Sequence, residues 1–169
     1  MAFALRLLFL LCGISGLLTG VWSKSKLVAK DNGCPKGWTR LDCHCYIFQD
    51  EQRAFADAES VCQIIHGNLA SIHSDLENAF LLELIRAGGE EGQSWIGLHD
   101  TIADGDYIWT DGSDQDFLNF NVNASPNPEP NSANGDCVEI DEDDGLWQTA
   151  ECIDTNIRTY VCITDVLFH

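Results

Sequence analysis

Seven cysteines follow a short apolar leader, and that pairing of features constrains this 169-residue chain more than any other. The leader carries Arg6 in a basic start, runs through the nearly all-apolar Leu7 to Leu18, and ends in small residues near Gly20 to Ser23. It reads as a signal peptide over residues 1–23. The alternative, a membrane anchor, is disfavoured because the apolar run falls short of the ~20 residues that a spanning helix needs. No later segment is apolar enough to span a bilayer. Export to an oxidising compartment turns spaced cysteines into disulfide staples rather than metal or redox ligands. Cys12 leaves with the leader; Cys34, Cys43, Cys45, Cys62, Cys137, Cys152 and Cys162 remain. That number is odd, so one of them is free, capped, or joined to a second chain.

The chain beyond the leader is long enough for one domain, and a hydrophobic content of 45% can fill one core. Acidic residues outnumber basic ones 27 to 9, for a formal charge of −18. Nucleic acid is disfavoured as a partner, since phosphate binding calls for a basic face. An acidic surface keeps the chain soluble and attracts cations or basic partners.

Periodicity places the elements. Tyr46-Ile47-Phe48 has strand composition. Arg53 to Ile65 sets Phe55, Ala58, Val61, Cys62 and Ile65 on one helical face, with Gly67 and Asn68 as the stop. A second helix begins at Ser74, where Ser74-Asp75-Leu76-Glu77 is a capping-box pattern. Its predicted buried stripe is Leu76, Phe80, Leu81, Leu84 and Ile85, and Gly88-Gly89 ends it. Strands are expected at Trp95 to Leu98, Tyr107 to Trp109, Cys137 to Ile140 and Thr159 to Cys162, with a turn at Asp104-Gly105-Asp106. Trp38, Trp95 and Trp109 are expected to pack rather than to stack on a ligand. The expected class is α+β, two helices flanking mostly antiparallel sheets. A polar loop of about twenty residues runs up to Asn134, a length usually reserved for function.

The richest chemistry lies between Glu129 and Cys152. Glu129 and Asn131 flank Pro130 and offer oxygens of the kind a hard cation takes. Cys137 and Cys152 bracket Glu139, Asp141, Glu142, Asp143 and Asp144, which form either part of a metal site or a solvated acidic loop. Asp100 and Asp104 suit a turn equally well. His44, His66, His73, His99 and His169 are scattered and no nucleophile motif is present, so catalysis is not expected. Asn123-Ala124-Ser125 is an N-glycosylation sequon, with Pro126 directly after it.

Trp95-Ile96-Gly97-Leu98, Trp109-Thr110-Asp111-Gly112-Ser113, Glu129-Pro130-Asn131, Asp136-Cys137 and Gly145-Leu146-Trp147-Gln148-Thr149 occur in this order among the cysteines. Together they resemble the C-type lectin domain in its long form, over residues 34–165, with 24–33 as a short lead. The resemblance implies disulfides from Cys34 to Cys45, Cys62 to Cys162 and Cys137 to Cys152. Cys43 is then left over as a candidate link between two chains, which would make a disulfide-joined homodimer with two sites. Cys43 can also exchange roles with Cys45 in the same hairpin.

The resemblance further implies that Glu129 and Asn131, with a cis proline between them, hold calcium and two hydroxyls of a mannose-type sugar. Asp136, Gln148 and Thr149 complete that ligand set, and Asp100 and Asp104 with Asp136 form an auxiliary calcium site. Two departures bear on the ion. The family's Glu-Asp-Cys is Gly135-Asp136-Cys137 here, and its Trp-Asn-Asp is Trp147-Gln148-Thr149, which replaces a carboxylate by a hydroxyl. Calcium affinity falls as ligand charge falls, so weak binding is expected. The leading expectation is a secreted, calcium-assisted lectin of innate defence. The alternative is a lectin-like domain that has lost its sugar site and acts as a protein-interaction or antifreeze-like module.

Overall fold

The computed structural model describes residues 33–89 and 92–166, so the leader and nearly all of the lead lie outside the described residues. The elements run β1 (Thr39–Leu41), β2 (His44–Arg53), α1 (Phe55–Ile64), β3 (Asn68–Leu69), α2 (Asp75–Gly88), β4 (Gln93–His99), β5 (Ile108–Trp109), β6 (Cys137–Asp141), β7 (Trp147–Ala150) and β8 (Arg158–Asp165). The main sheet has the order β1-β2-β8-β4-β6-β7, with β3 on β8 and β5 on β4. All pairs are antiparallel except β4 with β8. Ser94 and Thr159 meet across that parallel pair, hydroxyl to hydroxyl at 2.7 Å, so neither buried polar group is left unsatisfied.

Helix α1 forms where Phe55, Ala58 and Cys62 recur on one buried face. Cys62 bonds Cys162 of β8, which ties this helix to the sheet. The helix stops one residue earlier than expected. His66 takes the left-handed conformation (φ 67°), and the Gly67 N–H closes the last turn on the Cys62 carbonyl at 2.9 Å. Gly67 is required for a different reason: a Cβ there would lie 2.2 Å from the Ile163 carbonyl oxygen.

Helix α2 is capped as its sequence predicts, with Ser74 Oγ accepting the Glu77 N–H at 3.2 Å. The Glu77 carboxylate returns to the His73 N–H rather than to that of Ser74. Gly89 supplies the left-handed C-cap (φ 78°). The expected stripe needs one correction, because Leu76 is 62% exposed. At about 100° per residue, Leu76 points to the side opposite Asn78, and it is Asn78, Leu81 and Ile85 that face the core. Phe80 and Leu84 are only partly buried.

Two buried clusters fill the domain, one around Ile96, Leu98, Trp109, Val138 and Trp147, the other around Phe55, Cys62, Trp95, Tyr160 and Cys162. Trp38 packs at the margin of the second. Cys34 bonds Cys45, and Cys137 bonds Cys152.

Candidate functional site

The site is built where the long polar loop folds back on β7. Strand alternation puts Trp147 and Thr149 on one side of β7 and Gln148 on the other. Trp147 anchors the first side, since its indole N–H donates to Asn78 Oδ1 at 2.8 Å and its ring stands edge-on to Trp109, Phe117 and Phe120. Asn78 also donates through Nδ2 to the Gly145 carbonyl at 3.0 Å, so one buried amide of α2 holds the turn before β7. Backbone bonds then align the loop: Trp147 N–H to Asn119 O and Asn121 N–H to Trp147 O, each 2.9 Å, and Glu129 N–H to Asn121 O at 3.1 Å.

That alignment brings Glu129 to Thr149. The Glu129 carboxylate is 6% exposed and accepts four donors. Oε2 takes the Thr149 hydroxyl at 2.6 Å, the Thr149 N–H at 3.1 Å and the Asn131 N–H at 3.0 Å. Oε1 takes Asn134 Nδ2 at 2.8 Å. The Thr149 hydroxyl also lies 2.8 Å from the Asn131 carbonyl. It has one proton, and the shorter contact to the charged oxygen is the stronger. Asn131 follows the cis Glu129–Pro130 bond and turns its Oδ1 to the Ala133 N–H at 3.1 Å.

Other expected site residues do not join this group. Gln148 sits across the strand and donates to Asp141 Oδ2 at 3.3 Å. Asp136 is half-buried, and its carbonyl accepts the Asp100 N–H at 3.0 Å, which joins the end of β4 to the start of β6. Asp100 is 2% exposed: Oδ2 accepts the Gly105 N–H at 2.8 Å, a turn-forming bond, while Oδ1 has no hydrogen-bond partner. Asp104 is exposed on that turn, and Asn123 is exposed on the long loop. Burial, and then the charges of Asp100, Glu129 and Asp136, push the Tyr107 hydroxyl well above the ordinary tyrosine range.

The acidic run folds into a capped turn. Asp141 Oδ1 accepts the Asp143 N–H and Asp144 Oδ1 the Leu146 N–H, while Arg86 of α2 donates to the carbonyls of Glu142 and Asp143 at 2.9 and 2.8 Å. Glu139 leaves the run altogether. It is buried against Arg158, Nε to Oε2 2.9 Å, with the guanidinium 5.7 Å from the Trp95 ring centroid. Burial raises the Glu139 pKa, and Arg158 offsets only part of that rise.

Sequence reasoning missed Asn78, Asn134 and Arg86. Only Asn78 left a usable trace, a polar residue at a position spaced to share a face with Leu81 and Ile85.

Comparison with known proteins gives the family. The Lectin C-type domain model matches residues 51–164. This chain belongs to the C-type lectin family. It is similar to the galactose-specific lectin nattectin of Thalassophryne nattereri, 34% identical over 122 residues, 72% of this chain and 75% of that one. It is also similar to ladderlectin of Oncorhynchus mykiss, 34% identical over 72% of this chain and 63% of that one. Among solved structures, human lithostathine superposes with a TM-score of 0.70 at 31% identity, over 78% of this chain and 99% of that one. A calcium-independent type II antifreeze protein shares the fold at 24% identity and a TM-score of 0.67. These relatives are lectins and structural kin of lectins, which fits a non-enzyme. No described helix is long and apolar enough to cross a membrane.

Membership implies calcium, an ion that takes roughly six to eight oxygens and prefers carboxylates. The residues present do not fit it. Both Glu129 oxygens already accept protein donors, and a protein hydroxyl stands on the Thr149 side of that carboxylate. Gln148 points to the other face. Among the described residues no three His, Cys, Asp or Glu side chains form a metal-binding group, the auxiliary set of Asp100, Asp104 and Asp136 included.

Proposed function

We propose that this C-type lectin is an extracellular glycan-recognition module whose Glu129-Asn131 loop is held by protein hydrogen bonds, and that it engages sugar without a calcium ion at Glu129. One observation carries the reading: four donors converge on a buried carboxylate that calcium would have to strip of them. The disulfides of the described residues support an oxidising, extracellular setting. The Glu-Pro-Asn order ranks mannose-type glycans first by resemblance. Nattectin, named as galactose-specific, makes galactose-type glycans the necessary comparison. Asn123, exposed within its sequon, is a proposed glycosylation position.

The test is a glycan array probed with the mature chain in excess calcium and again in chelator. Binding of equal strength in both conditions is the expected result. Binding to mannose-type glycans that chelator abolishes would restore the calcium-assisted mechanism, and an array without signal would favour a protein-interaction role.

A further inference from the structure

A polar groove of about 500 Å³ opens on the opposite flank of the sheet from Glu129. It lies where the α1–β3 corner, the free ends of β2 and β8 and the loop after β5 converge, and His44, His66, Ser71, His73, Asp111 and Ser113 are among its walls. In the sheet order β4 and β6 separate β8 from β7, which sets groove and loop roughly 14 Å apart at the usual strand spacing. We propose that this groove is a second binding site, one that takes a neutral polyhydroxylated ligand, namely a saccharide unit. The proposal rests on the lectin reading above and assigns it a different place.

The polar groups in the groove are held in fixed directions before any ligand arrives. Asp111 accepts Ser71 Oγ at 2.6 Å on Oδ2, and the Ser113 N–H and Oγ at 2.9 and 2.6 Å on Oδ1. Ser71 is 2% exposed, so that carboxylate is anchored from inside the domain. Three donors orient a group with about four acceptor positions, which leaves one for a ligand. His73 is fixed through Nδ1 to Asp116 at 2.7 Å, and its ring rests 5.9 Å from Trp109, so Nε2 is the nitrogen left for a ligand. His44 stands across the groove, Nε2 3.4 Å from Asp165 Oδ1.

His66 is the telling member. It occupies the left-handed position that ends α1, at φ 67°, where glycine or asparagine is the low-cost choice. A histidine held there sacrifices stability, and such sacrifices concentrate at working sites. Ile163 is the apolar exception in a lining of imidazoles, hydroxyls, an amide and carboxylates. Apolar ligands need predominantly apolar walls, and more than half of this groove's wall is polar. The carboxylates of Asp111 and Asp165 disfavour an anion. The histidines do not gather into a metal-binding group. Mixed donors and acceptors held in fixed directions suit vicinal hydroxyls.

The experiment is a titration of the isotope-labelled mature chain with methyl α-mannopyranoside and methyl β-galactopyranoside in chelator, followed by amide chemical shifts. Expected are shifts at Gly67, Asn68, Gly112 and Ser113 with at least one glycoside. A His66→Gly variant should bind that glycoside roughly fivefold more weakly, the loss of about one hydrogen bond, while unfolding at a higher temperature. Shifts confined to residues 129–134 would overturn the groove and leave the lectin reading standing. A His66→Gly variant that gains stability with unchanged affinity would overturn the role of His66. No shift with either glycoside, together with a blank glycan array, would overturn both readings.

Discussion

Replacing Thr149 by valine tests the hydrogen-bonded site most directly, because valine keeps the shape and removes only the hydroxyl. The hydroxyl donates at 2.6 Å to a Glu129 carboxylate that is 6% exposed. A hydrogen bond to a charged group contributes about 1.5–3 kcal/mol, and the carboxylate cannot recover the loss from water at that depth. Three donors remain on Glu129, the Thr149 and Asn131 N–H groups and Asn134 Nδ2, so the carboxylate is weakened rather than orphaned. The added methyl returns at most ~0.8 kcal/mol of burial. The net expectation is a loss of about 2 kcal/mol, or roughly 6–10 °C in midpoint for a domain of this size. Thermal unfolding by circular dichroism, in chelator, reads it. Both proteins should then be melted in millimolar calcium. The wild-type midpoint should not move, because the ion finds no ligand set at Glu129. A Thr149→Val midpoint within a degree of wild type, or a wild-type midpoint that calcium raises by several degrees, would refute the argument.

Thr149→Asp should do the converse: it sets a second carboxylate beside Glu129, lowers the midpoint in chelator, and makes the protein responsive to calcium. For a dissociation constant near 1 mM, 10 mM calcium would add about 1.4 kcal/mol, measurable as a midpoint shift. Asn78→Leu should cost about 2 kcal/mol in denaturant unfolding, because it leaves the buried Trp147 indole N–H without its acceptor, while the Gly145 carbonyl keeps the Asn119 amide at 2.9 Å. His99 gives a pH dependence. Burial lowers its pKa, against the pull of Asp100 and Glu59, so its contribution is complete above the ordinary imidazole value of about 6.5 and is lost as pH falls through that range towards the lowered folded value. Wild-type stability should therefore fall more steeply than that of His99→Gln between about pH 7 and pH 5, and parallel profiles would count against it.

By themselves the residues determined everything that local pattern or pairwise spacing can carry. The three- and four-residue recurrence of Phe55, Ala58 and Cys62 specified α1, Ser74 and Gly89 marked the ends of α2, and motif order alone carried the resemblance behind the disulfide pairing. The short β7 was not legible as a strand, since Trp147-Gln148-Thr149-Ala150 has neither length nor alternation to distinguish it from loop. Leu76 misled because an apolar residue one turn from Phe80 looks buried until the core face of the helix is known. The site itself was decided by tertiary structure. Sequence put Glu129, Asn131, Gln148 and Thr149 in one candidate ligand set, and strand alternation on β7 divided them, with Gln148 turned to Asp141 and Thr149 to Glu129. Whether a carboxylate waits for a metal or is already satisfied depends on which donors the folded chain brings within hydrogen-bond reach of it. Those donors, from Asn131, Asn134 and Thr149, approach from separate segments that only the folded loop brings together.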